Sequence, residues 1–87
     1  MEEEETKVLS MNDTNGNEVK LYPNPTKGFV NIEWERYAHA ELSGLSGRVL
    51  IKTSTRQFDL RDLSEGVYFI KLIAKDKEEV VFRIIKE

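Results

Sequence analysis

The chain has 87 residues, 13 of them basic and 16 acidic, for a formal charge of −3, and it contains no cysteine. That length holds one small domain, the missing thiols exclude disulfides and cysteine-ligated metals, and bases scattered along the chain argue against a nucleic-acid surface, whose footprint is a clustered basic face. No apolar run approaches the roughly 18–20 residues that cross a bilayer as a helix, and the opening Met1-Glu2-Glu3-Glu4-Glu5 is acidic where a secretory signal is basic.

Residues 1–19 are polar and weakly patterned, and read as a polar linker or a segment added for expression. Within them Lys7-Val8-Leu9-Ser10-Met11 allows a short edge strand. In Asn12-Asp13-Thr14-Asn15-Gly16-Asn17-Glu18, acids and amides alternate ahead of a glycine, as in a calcium loop. The run is too short for one and has no distal bidentate glutamate in register. Asn15-Gly16 is read instead as a hairpin turn or linker.

Leu21-Tyr22-Pro23-Asn24-Pro25-Thr26-Lys27-Gly28 starts the ordered part. Each proline holds φ near −65° and pushes the residue before it toward extended geometry, so this segment runs extended and then turns at Gly28. Strand follows strand from there on. In 29–35, Val30, Ile32 and Trp34 share one face; Ala38, Ala40 and Leu42 then alternate with His39, Glu41 and Ser43. Ser43-Gly44-Leu45-Ser46-Gly47 is a turn, and 48–53 its partner strand. Leu60 and Leu63, three apart, suit one helical or 3₁₀-like turn that Gly66 ends.

The strongest strand is 67–74, apolar on both faces and therefore central. After a turn at Asp76-Lys77, the segment 79–86 sets Val80, Phe82 and Ile84 on one face and Val81, Arg83 and Ile85 on the other. No segment shows a helical period over 11 residues or more. Short strands separated by turns read as all-β: a small antiparallel immunoglobulin-like β-sandwich of about seven short strands.

Catalytic chemistry finds no foothold in this pattern. The single histidine, His39, lies on the outward side of an alternating strand, and no serine has a base beside it. Asp59, Asp62 and Glu65 are near enough in sequence to form a carboxylate cluster, but turn capping accounts for them. No cofactor and no metal are expected, and an enzyme is not. Trp34, Tyr37 and Tyr22 offer a possible sugar-stacking platform, although Trp34 falls on the core face. This supports a second reading, a carbohydrate- or protein-binding sandwich module retained on a secreted protein.

Four blocks, LYPNPTKGFVNIEW, AELSGLSGRVL, LRDLSEGVYFIKL and VVFRIIKE, together resemble the C-terminal sorting domain of the type IX secretion system over residues 20–87. Tyr22, Pro23, Asn24, Pro25 and Gly28 match its opening motif. Gly47 and Arg48 match its hairpin turn, and Leu63, Gly66, Val67 and Tyr68 its Leu-x-x-Gly-Val-Tyr block. Arg83, Ile84, Ile85 and Lys86 match its basic-aliphatic end. Ser43-Gly44 stands where the family commonly has an aromatic-aspartate pair, and Arg83 where it has lysine; the two bases are not interchangeable where geometry matters.

The resemblance implies an address and no reaction. An outer-membrane translocon would recognise these residues and carry an N-terminal cargo domain from the periplasm to the cell surface or exterior, and a sortase would remove the domain. By the same resemblance the chain is expected to be the last part of a longer precursor. Neither nucleic acid nor a membrane-spanning segment is implied.

Overall fold

Alternation of period two along most of the chain makes strands, and the computed structural model, which describes residues 7–87, contains eight of them and no helix among those residues. They are β1 (Lys7–Asn12), β2 (Glu18–Asn24), β3 (Phe29–Glu33), β4 (Tyr37–Ser43), β5 (Val49–Thr53), β6 (Gln57–Asp59), β7 (Gly66–Ala74) and β8 (Glu79–Lys86). Two four-stranded sheets form, β1-β2-β3-β6 and β5-β4-β7-β8, with every strand pairing antiparallel. The segment 7–11, which the sequence allows as an edge strand, is β1. Its Leu9 lies opposite Leu21 and its Met11 opposite Val19. The acidic run Glu2 to Glu5 lies outside the described residues.

Between the sheets lies one core. Leu21, Val30, Leu42, Ile70, Leu72 and Ile84 are all fully buried in it. β7 is central, as its two-faced apolarity predicts, lying between β4 and β8. Trp34 is 2 % exposed and belongs to the core face with Val30 and Ile32. β3 ends at Glu33, sooner than the alternation alone predicts, because Trp34 enters a tight turn in which the Tyr37 N–H donates to the Trp34 carbonyl at 3.1 Å.

One face assignment is corrected. A bulge between Tyr37 and His39 shifts the register of β4 against β7, so Tyr37, Ala40 and Leu42 point inward while Ala38 is only half-buried. An extra residue on one strand reverses the alternation on one side of it. The Tyr37 hydroxyl reaches out of the core to donate to the Thr55 carbonyl at 2.5 Å. No buried side-chain nitrogen or oxygen among the described residues lacks a hydrogen-bond partner.

Candidate functional site

Strand register decides which turns share an end of the sandwich. Lys7 lies opposite Asn24, Phe29 opposite Asp59, and Gly66 opposite Lys86. The start of β1, the 24–28 turn, the 60–65 connection and the end of β8 therefore gather at one end. The β4–β5 turn, with Gly47 and Arg48, opens in the same direction from sheet β5-β4-β7-β8. Motif blocks far apart in sequence thus meet there.

The closest union is between the proline segment and the last strand. Both X-Pro bonds of that segment, Tyr22-Pro23 and Asn24-Pro25, are cis. Asn24 Oδ1 accepts a hydrogen bond from the Ile85 N–H at 2.9 Å. The Thr26 N–H donates to the Ile85 carbonyl at 2.9 Å, and the Glu87 N–H donates to the Thr26 carbonyl at 2.8 Å. Thr26 and Lys86 are consequently bridged in parallel. Thr26 itself is 1 % exposed; its Oγ1 donates to the Phe29 carbonyl at 2.6 Å and accepts from the Gly28 N–H at 3.1 Å.

Other motif residues hold this end together from inside. The Leu60 N–H donates to the Gly28 carbonyl at 2.6 Å, and the Leu63 N–H to the Leu60 carbonyl at 2.9 Å, closing the single turn that the leucine spacing predicts. Tyr68 is buried, and its hydroxyl donates to the Ser64 carbonyl at 2.7 Å. Gly28 is buried, and a Cβ there would meet the Arg61 side chain at Cγ, 3.0 Å away, so that the arginine would have to shift to admit a larger residue. Gly66 has φ +153° and Gly47 φ +87°, backbone geometry that favours glycine.

Tyr22, Pro23, Asn24, Pro25, Ile85 and Lys86 are half-buried, while Arg48 and Arg83 are exposed. The Tyr22 hydroxyl donates to Glu33 Oε2 at 2.5 Å, and that bond, first among the causes, raises its pKa from the ordinary tyrosine value. Ile84 is fully buried. Arg83 sits on the outer face of β8, opposite Phe69 of β7.

The opposite end holds a polar network that sequence reasoning missed. Asp13 Oδ2 accepts from Trp34 Nε1 and from Arg36 Nη1, each at 2.8 Å, and Asp13 Oδ1 accepts from the N–H groups of Asn15 and Asn17 at 2.9 Å. Arg36 Nη1 also donates to Glu78 Oε1 at 2.7 Å, Arg36 Nη2 pairs with Asp76, and Thr14 donates twice to Glu78. Burial pushes the Asp13 carboxyl up, but the hydrogen bonds from Trp34, Arg36, Asn17 and Asn15 outweigh it and hold the group well below the usual carboxylate range. Three turns, 13–17, 34–36 and 76–78, are tied together by this one guanidinium and one carboxylate. An Asp-x-Asn-Gly turn gives no local hint of a partner twenty-one residues away.

Among the remaining candidates, His39 is exposed, as its strand position predicts. Asp59 is engaged by Arg61 through Nε and Nη2, both at 3.0 Å. No group of three or more His, Asp or Glu side chains among the described residues is arranged to hold a metal ion. The stacking platform of Trp34, Tyr37 and Tyr22 is not assembled. Trp34 and Tyr37 are 2 % and 4 % exposed, and core burial outweighs surface presentation for rings of that size.

Comparison with known proteins bears on the same region. A family model described as a secretion system C-terminal sorting domain matches residues 20–87. No curated protein and no solved structure matches the chain.

Proposed function

Because the chain belongs to the secretion system C-terminal sorting domain family, we propose that an outer-membrane translocon reads the motif-bearing end of the sandwich and exports whatever precedes it in the precursor. The chain is a type IX sorting signal, and such a signal directs export to the cell surface or exterior. Its family is one of sorting domains and not of enzymes. In the proposed route the cargo lies N-terminal to the domain, passes through the periplasm, and is freed from the domain by a sortase at the outer membrane.

The residues assigned to recognition are Tyr22, Pro23, Asn24, Pro25, Gly28, Gly47, Arg48, Leu63, Gly66, Tyr68, Arg83, Ile84, Ile85 and Lys86. They divide by burial. Gly28, Tyr68 and Ile84 are inside and act by shaping the end, whereas Arg48, Arg83, Ile85 and Lys86 offer surface. The observation that carries the reading is the gathering of all four motif blocks at one end, with the first and last joined directly by Asn24 and Ile85. A small rigid domain can be read at such a surface without folding anything new, so little ordering entropy opposes binding.

Deleting Ile84 to Glu87 from a full precursor in a host with the machinery tests the proposal. Cargo should then accumulate inside the cell. Normal secretion after that deletion would refute the assignment.

A further inference from the structure

Along an edge strand, alternate residues turn both backbone groups away from the neighbouring strand, where they need another partner. Ile85 is such a residue on β8, and both of its groups are already taken: its N–H by Asn24 Oδ1 and its carbonyl by the Thr26 N–H, each at 2.9 Å. Glu87 continues the arrangement by donating its N–H to the Thr26 carbonyl at 2.8 Å. Thr26 cannot drift, because it is 1 % exposed and its hydroxyl is bonded on both sides, to Phe29 and Gly28. The proline segment is thus a clasp on the end of β8.

From this geometry, and resting on the sorting reading above, we infer that the partner reads a composite surface in which Pro25 lies beside Ile85 and Lys86, and that it does not read the last residues as a linear tail. Asn24 is the positioning residue: it sets where Ile85 and Lys86 stand by holding the Ile85 N–H. The partner surface that fits is an apolar recess for Pro25 and Ile85, both half-buried, with a carboxylate placed to meet Lys86. Strand addition at the end of β8 would need the Ile85 groups free, and they are not.

The test compares Asn24→Ala with Asn24→Asp in the full precursor, and follows the same variants in the 87-residue chain by amide hydrogen exchange. Alanine removes the acceptor, so the Ile85 amide should exchange roughly tenfold faster, as expected for one lost hydrogen bond. Export should fall severalfold while the chain stays folded, with a melting temperature lower by no more than about 10 °C. Aspartate keeps an acceptor oxygen and should restore both Ile85 protection and export. An Asn24→Ala precursor exported at the parent level, with its Ile85 amide deprotected, would overturn the inference.

A graft covers the case in which alanine unfolds the end. Residues 79–87 alone are fused to the end of a cargo and compared with a fusion of the whole 87-residue chain. The whole chain should direct export and the short tail should not. Export by the tail alone overturns the composite surface but leaves the sorting reading standing. Failure of the intact-chain fusion would overturn both.

Discussion

Trp34 Nε1 donates a hydrogen bond to Asp13 Oδ2 at 2.8 Å, joining the β1–β2 turn to the β3–β4 turn across the end of the sandwich remote from the motif blocks. The Asp13 side chain is 0 % exposed. A buried carboxylate that is fully paired is tolerated, but its loss leaves several donors unsatisfied at once, among them the Trp34 indole and the Arg36 guanidinium. Asp13→Ala should therefore lower the melting temperature by roughly 10 °C or more. Thermal denaturation followed by circular dichroism measures it, and a shift of only one or two degrees would show that the network is dispensable.

Acid should reveal the same network. Asp13 is held low by its hydrogen bonds despite burial, Glu78 mainly by Arg36, and Asp76 by the Glu78 N–H and then by Arg36. Each folded pKa lies below its unfolded value, so the unfolded chain binds more protons in this range and stability falls as pH falls. Melting temperature should be flat from pH 7 to about 5 and decline below about 4, where unfolded carboxyl groups begin to take up protons. In Asp13→Asn the gap to the parent should narrow as pH drops; a constant gap between pH 7 and pH 3 contradicts the assignment.

Residues 1–19 can be removed to ask where the folding unit starts. The family match begins at residue 20, yet β1 starts at Lys7 and covers Leu21 and Val19, both fully buried. A 20–87 fragment loses β1, Val19 and Asp13 together. It should unfold at a clearly lower denaturant concentration than the full chain, with a smaller m-value reflecting the smaller buried surface. Identical midpoints would mean that β1 adds nothing to the fold.

Glycine positions should separate by backbone geometry. Gly66 has φ +153°, and nothing lies within 4 Å of a Cβ built there, so the obstacle is conformational and not steric. Gly66→Ala should cost about 1–3 kcal/mol. Gly44→Ala, whose Cβ would touch Leu50 at an ordinary 3.8 Å, should stay within about 0.5 kcal/mol of the parent. Urea unfolding of the two variants distinguishes them, and equal losses would remove the special role of Gly66.

Tryptophan fluorescence checks the binding-module reading. The chain has a single tryptophan, Trp34, and it is 2 % exposed. Emission should be blue-shifted, iodide should quench it weakly, and mono- and oligosaccharides should leave it unchanged. A saturable change on adding sugar would restore the stacking platform that burial of Trp34 and Tyr37 takes away.

From the order of residues alone, period-two alternation identified most of the strands and the core-facing side chains of β3, β8 and, beyond its bulged start, β4. Proline and glycine marked the turns, because their restrictions act within one or two residues. The positive φ at Gly66 and the leucine turn before it were readable for the same reason. Tertiary structure alone decided that Tyr37 turns inward, that Asp13 joins three turns, and that Asn24 and Thr26 clasp Ile85. Those bonds link a side chain or backbone group to a partner as many as 61 residues distant. Nothing in the local pattern encodes such a partner: it exists only once two sheets have packed and brought their ends together.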